Sequence, residues 1–238
     1  MKLITDLRIK LFADSADLPS LIALARHSLI QGFTTNPTLM HKAGVQDYRV
    51  FAKAAVALLP AKPISFEVFA DDFTEMERQA REIATWGSHV YVKIPVMNTM
   101  RQSTAPLIHR LSHDGIRVNV TAVMTLFQVQ ACVDALKDGA YSYISIFAGR
   151  IADTGRDPAA VVEGALRLIP PNGSIEVIWA SPRELFNIYQ ADTTGCHVIT
   201  VTPELLKKLP GVGRDLTDLS HDTVTMFHDD AQRAGYTL

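Results

Sequence analysis

A (β/α)8 barrel, the single-domain TIM barrel, is written into these 238 residues by their rhythm. Short apolar runs rich in β-branched residues alternate about eight times with longer stretches of helical periodicity, the spacing of parallel strands joined by helical crossovers. The length suits a closed barrel, which typically takes roughly 250 residues. Polar and charged residues gather where the apolar runs end, and that face is where a barrel keeps its chemistry. An open doubly wound sheet is the competing architecture. It usually has fewer strands and a glycine-rich first turn, whereas the first turn here reads Asp14-Ser15-Ala16-Asp17.

In chain order, Ile9–Ala13 reads as the first strand and Asp17–Leu29 as its helix. Leu18, Leu21, Ile22, Ala25 and Leu29 recur at helical spacing, Asp17 is a good N-cap, and Pro19 fits the first turn. Gly32-Phe33 leads into Thr34-Thr35-Asn36-Pro37, and a helix follows around Asp47–Leu59, ended by Pro60. Ile64–Val68 pairs with a helix over Asp72–Trp86, and His89–Ile94 with one over Thr104–Asp114, which Gly115 caps. Next come Arg117–Val120 with Leu126–Leu136, then Ser142–Phe147 with Pro158–Leu168, stopped by Pro170-Pro171. Ser174–Trp179 is followed by a helix over Pro182–Gln190, and His197–Val201 is the last strand, with Pro203 opening the helix after it. Residues 211–238 form an extension: a loop over Gly211–Arg214, then a helix over Leu216–Ala234 that packs on its own barrel or on a neighbouring subunit. No repeat, low-complexity tract or linker divides the chain, so 1–238 is expected to be one domain.

Composition narrows the function. The chain is 47% hydrophobic and 20% charged, far from the disordered corner. Its formal net charge of −2 gives no basic face for nucleic acid. Cys132 and Cys196 are too few for a disulfide framework and lack the spacing of a zinc site. Met1 to Lys10 is polar, and no apolar run approaches the ~20 residues of a membrane span. A cytoplasmic protein without nucleic-acid or membrane partners is expected.

The polar residues at strand ends form a concentrated set. Asp14 ends the first strand, Thr34 and Asn36 follow the second, Glu67 lies near the end of the third and Lys93 inside the fourth. Asn119 and Thr121 end the fifth; Ser145, Phe147 and Arg150 end the sixth; Ser181 and Arg183 follow the seventh. Lys93 is the one cation in the apolar run Val90-Tyr-Val-Lys-Ile-Pro95. Either it reaches out to water, or it is a desolvated amine; burial disfavours an ammonium, and a neutral amine is a nucleophile that condenses with carbonyls. Asp14 suits a cap or Asx-turn as well as a site. Glu67, between Phe66 and Val68-Phe69, needs a partner or a function. Asn36 before Pro37 suits a turn. Arg150 and Arg183 read either as surface charges paired with Asp153 or Glu184, or as a two-pronged anion site. Ser181, placed just before a helix over Pro182–Gln190, would add a hydroxyl and the backbone N–H groups of that helix start. His221 and His228 share a helix face, but a solvated acidic face explains them better than a metal site.

Taken together, Phe12-Ala-Asp-Ser-Ala-Asp17, Gly32-Phe-Thr-Thr-Asn-Pro-Thr38, Phe66-Glu-Val68, Val92-Lys-Ile-Pro95, Asn119-Val-Thr121, Ile144-Ser-Ile-Phe-Ala-Gly-Arg-Ile151 and Ala180-Ser-Pro-Arg183 resemble the transaldolase family, its smaller members and the related fructose-6-phosphate aldolases. Each piece is short; their order at successive strand ends is specific. The resemblance implies a class I mechanism that needs neither metal nor cofactor, with phosphorylated sugars as substrates and a homo-oligomeric assembly. It puts Lys93 in the Schiff-base role, Asp14 as the base at the C4 hydroxyl, and Glu67 with Thr121 on a proton-shuttling water. It puts Asn36, Asn119 and Ser145 on the sugar hydroxyls with Thr34 in support, and Arg150, Ser181 and Arg183 on the phosphate. Glu67 and Phe147 match transaldolases, where the aldolases typically carry Gln and Tyr. The chain departs from the family's usual wording at Val96-Met-Asn-Thr-Met100, Pro182, Ile146 and Ala122-Val-Met-Thr125, none of which touches the lysine, acids or arginines. The alternatives are an aldolase or specialised-pathway enzyme on the same scaffold, and a barrel that binds a sugar phosphate without turning it over.

Overall fold

Eight strands alternate with helices, and the computed structural model describes residues 3–171 and 173–237; Met1, Lys2, Asn172 and Leu238 lie outside the described residues. The strands are β1 (Lys10–Asp14), β2 (Ile30–Thr34), β3 (Ile64–Glu67), β4 (Val90–Pro95), β5 (Val118–Val123), β6 (Ser142–Ile146), β7 (Ile175–Trp179) and β8 (Val198–Val201). All pair in parallel in sequential order, and β8 returns to β1, closing the barrel as expected. The helices on its outside are α1 (Leu18–Ala25), α2 (Pro37–Lys42), α3 (Tyr48–Leu58), α4 (Phe73–Ala84), α5 (Ala105–His113), α6 (Leu126–Leu136), α7 (Ala148–Ala152), α8 (Ala159–Leu168), α9 (Phe186–Thr194), α10 (Pro203–Leu206) and α11 (Leu216–Ala234). No helix among the described residues is long and apolar enough to cross a membrane.

Several helix starts are set by side chains that accept orphan N–H groups. Asp17 accepts from Ser20, Asp47 from Val50, and Asp72 from Thr74 and Glu75, while Thr125 and Gln128 form a capping box. Gly195, with φ 80°, ends α9 in the left-handed conformation that glycine adopts without strain.

Side chains alternate sides along a strand, so one set of every second residue fills the barrel and the other set faces the helices. Outward go Leu11, Ala13, Phe33, Ile64, Phe66, Val92 and Ile94, all buried in the main core. Inward, Phe12, Tyr91, Tyr143, Ile178 and Val198 form a second cluster that fills the barrel below the strand ends. Gly32 is what lets Phe12 lie there: a Cβ at residue 32 would come within 2.5 Å of the ring. Continuing the alternation upward from Phe12, Tyr91, Tyr143 and Val198 gives Asp14, Lys93, Ser145 and Thr200. The same periodicity that buries the aromatic floor therefore aims the polar residues into the top of the barrel.

Four sequence expectations are corrected. Asn36-Pro37 is not only a turn: Asn36 caps the short helix α2, accepting from Leu39 N at 2.9 Å, with Pro37 at its first position. Strand β5 runs beyond Val120 to Val123, through a register shift and a left-handed Ala122 (φ 61°). Strand β6 stops at Ile146, and Phe147 opens α7, so Arg150 sits on a helix rather than in a loop. The helix expected over Pro182–Gln190 is α9 and starts only at Phe186. Ser181 breaks the backbone with φ 60°, and Asn187 Oδ1 accepts from Arg183 N and Glu184 N, holding 181–184 as a loop.

Candidate active site

Ten of the twelve residues singled out from the sequence line one cavity of about 460 Å³ at the C-terminal end of the barrel. They are Asp14, Thr34, Asn36, Glu67, Lys93, Ser145, Phe147, Arg150, Ser181 and Arg183. The two others, Asn119 and Thr121, are fully buried beside it on β5.

Lys93 does not extend to the outer surface. It is only 5% exposed, donates from Nζ to the Thr35 carbonyl at 3.1 Å, and faces Glu67 Oε2 at 3.3 Å. The contact with Glu67 follows from pairing, since Glu67 and Lys93 are register partners across β3 and β4. Burial raises the proton affinity of the Glu67 carboxyl, the Lys93 charge and hydrogen bond oppose this, and the negative charge of Asp14 adds to it. Asp14 is held above its ordinary range for the same first reason, with Lys93 and the Thr34 hydroxyl pulling the other way. Two carboxyls shifted upward flank one amine, an arrangement suited to proton transfer.

Asp14 is not a helix cap; Asp17 takes that part. Asp14 Oδ1 instead accepts from Thr34 Oγ1 at 2.7 Å and Oδ2 from Asn36 Nδ2 at 3.4 Å. Asn36 thus caps α2 with its oxygen and reaches Asp14 with its nitrogen. Asn119 is engaged at both ends of its amide: Nδ2 donates to Ser65 Oγ at 3.0 Å, and Oδ1 accepts from Ser145 Oγ at 2.8 Å. Thr121 Oγ1 is buried with no hydrogen-bond partner among the described residues.

At the mouth, the two arginines come from α7 and from the loop after β7. Arg183 is paired with Asp153, through Nε to Oδ1 at 3.0 Å and a second contact from its terminal nitrogen, which holds the Asp153 carboxyl below its usual range. The pairing foreseen as one alternative is therefore present, and Arg183 lines the cavity while making it. Arg150 lies over the Phe147 ring, with Cζ 5.9 Å from its centre. Gly149 joins the two segments. A Cβ there would sit 1.6 Å from the Ser181 carbonyl oxygen, so only glycine lets α7 and the 181–183 loop approach this closely.

Four contributors were not foreseen: the Thr35 carbonyl on Lys93, Ser65 on Asn119, Thr200 on Thr34, and Tyr48, whose hydroxyl donates to the Glu67 carbonyl at 2.8 Å. Ser65 and Thr200 were within reach of period-two counting along β3 and β8. Tyr48 comes from a helix, and no sequence signal marks it.

Comparison with known proteins fits this geometry. Solved barrels of similar shape include 2,3-dimethylmalate lyase, a PEP mutase/isocitrate lyase superfamily member (TM-score 0.55, 10% identity, 98% of this chain and 86% of that one). KGPDC from Streptococcus mutans is another (TM-score 0.54, 12% identity, 82% and 88%). At such identities the likeness is one of fold. Sequence relatives are closer: a "Probable transaldolase" of Dehalococcoides mccartyi is 34% identical over 202 residues, covering 84% of this chain and 90% of its own. A "Probable transaldolase 2" of Listeria monocytogenes is 32% identical over 202 residues, with 84% and 88% covered. A family model described as Transaldolase/Fructose-6-phosphate aldolase matches residues 11–238, from the strand that carries Asp14 through the last helix. With that match, and relatives above 30% identity over most of their length, the chain belongs to the transaldolase/fructose-6-phosphate aldolase family, as the order of its strand-end residues implies.

Proposed function

We propose that the protein is a transaldolase that moves a dihydroxyacetone unit from a ketose phosphate to an aldose phosphate through a Schiff base on Lys93. The observation that carries this reading is a buried lysine amine held between two carboxyls of raised proton affinity, under a mouth bearing two arginines. The Lys93 amine adds to the C2 carbonyl, and the carbinolamine loses water to give an iminium. Glu67 supplies and removes the protons of these steps through a water that the buried Thr121 hydroxyl helps to hold. Asp14 then takes the proton of the C4 hydroxyl. The C3–C4 bond breaks, its electron pair passes into the iminium, and an aldose phosphate leaves an enamine on Lys93. The acceptor aldehyde reverses these steps.

Asn36 and Ser145 are placed to bind sugar hydroxyls. Asn119, with its amide engaged by Ser65 and Ser145, acts by orienting Ser145. Arg150, Ser181 and Arg183 hold the phosphate, Arg183 while paired with the exposed Asp153. Phe147 has no hydroxyl to protonate the enamine, which leaves the three-carbon unit on Lys93 for an acceptor.

The test is borohydride reduction in the presence of fructose 6-phosphate without acceptor. A dihydroxyacetone-derived adduct mapped to Lys93 is expected; an adduct on another lysine, or none, overturns the reading. Release of free dihydroxyacetone at the rate of aldose phosphate formation would make the protein an aldolase instead.

Gly149→Ala probes the mouth. The added methyl meets backbone, so the 181–183 loop must move, at a cost of about 1–3 kcal/mol. For a chain of this size that is a fall in Tm of roughly 3–10 °C. KM for the phosphorylated donor should rise by about tenfold or more, since both arginines lose their common support. Calorimetry and steady-state kinetics on the variant check both.

A further inference from the structure

The contacts around Asp14 extend to a strand the mechanism has not used. Thr200, on β8, lies with its hydroxyl oxygen 2.5 Å from that of Thr34. The Thr34 hydroxyl has one proton, and it points to Asp14 Oδ1 at 2.7 Å. The proton between the two threonines must then come from Thr200, giving a chain from the Thr200 hydroxyl to Thr34 to the carboxylate. We propose that Thr200 is a positioning residue for Asp14, fixing the Thr34 proton on the carboxylate oxygen and favouring the ionised carboxyl that the base role requires. This rests on the reading of Asp14 as the base.

Three features support it. Thr200 is only 5% exposed, at the wall of the cavity, so its hydroxyl is held close to that of Thr34. A donor hydrogen-bonded into a second donor strengthens it, because each polarises the next in a low-dielectric surrounding. The chain also answers a specific need. The groups facing Asp14 are the Thr34 hydroxyl and Asn36 amide from β2 and the segment after it, the Lys93 ammonium from β4, the Glu67 carboxyl from β3, and Thr200 through Thr34. When Lys93 becomes an imine, its charge is committed to the substrate, and the hydroxyl chain remains as a fixed donor to the carboxylate.

Thr200→Val keeps the shape of the side chain and removes the donor; Thr200→Ser restores it. In Thr200→Val the acid limb of the kcat/KM–pH profile should move upward by roughly half a pH unit, with the loss of rate concentrated on the acid side. Thr200→Ser should overlay the parent. A Val profile that superimposes on the parent, or a Ser profile displaced as far as Val, overturns the proposal. The 13C titration of the Asp14 carboxyl in folded Thr200→Val protein reads the same coupling without turnover, and its midpoint should rise. If the parent forms no borohydride adduct on Lys93 but this midpoint rises, the transaldolase reading fails and the hydroxyl chain stands. If the adduct forms and the midpoint stays, the chain fails alone.

Discussion

Lys93→Met should lower turnover by at least about 10⁴-fold and abolish borohydride trapping of the three-carbon unit, while leaving the barrel folded. The size of the effect follows from the covalent route. Without an imine nitrogen, cleavage of C3–C4 would leave a carbanion with no electron sink. Among the described residues no second lysine lines the cavity to take over the addition. Methionine preserves the apolar stem, and the neighbour that suffers is Glu67, which loses its cation. Because burial already raises the proton affinity of this carboxyl, removing Lys93 raises it further. The sign for stability follows. An acid whose folded pKa is raised destabilises the fold above the pH at which the unfolded carboxyl ionises, and that penalty disappears on acidification. Lys93→Met should therefore fall short of the parent Tm by more at pH 8 than at pH 5. Intact-mass analysis, circular dichroism and thermal melts at the two pH values measure all three outcomes, and residual turnover within a hundredfold of the parent would remove Lys93 from the mechanism.

The second large effect belongs to Asp14. Asp14→Asn should lose about 10²–10⁴-fold in kcat, the usual contribution of a positioned base, yet still form the Schiff base. Borohydride should then trap the intact ketose phosphate on Lys93 rather than a three-carbon fragment, because condensation depends on Glu67 and cleavage on Asp14. Stability should move the other way. The folded Asp14 carboxyl is raised by burial, so its ionised form opposes folding. That cost appears as pH rises from the unfolded value through the folded one and stays constant above. A neutral asparagine carries no such cost, and its amide can still pair with Thr34. The variant should be more stable than the parent at pH 8, with the advantage shrinking toward pH 4. A lower Tm at pH 8 would show that Lys93 and Thr34 outweigh burial.

Much of this site was legible because its parts lie on strands. Glu67, Lys93 and Ser145 each stand between apolar neighbours and Asp14 ends the apolar run Leu11-Phe-Ala13, and a polar residue at the inward position of such a run is conspicuous. The arginines were visible as residues just past strand ends, but their setting was not. Pro182 suggested a helix start, whereas the left-handed Ser181 and the Asn187 side chain hold 181–184 as a loop. The contacts of the Asn119 amide with Ser65 and Ser145, from β3 and β6, carry no signal in the sequence around residue 119.

The order of strands and helices and the inward set of side chains are local matters. They follow from periodicities of two and 3.6 residues and from caps within a few positions, which any window of the chain contains. Which inward side chains touch is decided only when β8 meets β1. The Thr34–Thr200 contact joins residues 166 positions apart, and the Arg183–Asp153 pair depends on two backbones approaching at Gly149. Neither has a local signature, because closing a barrel is a global condition on strand tilt and register that no short segment encodes.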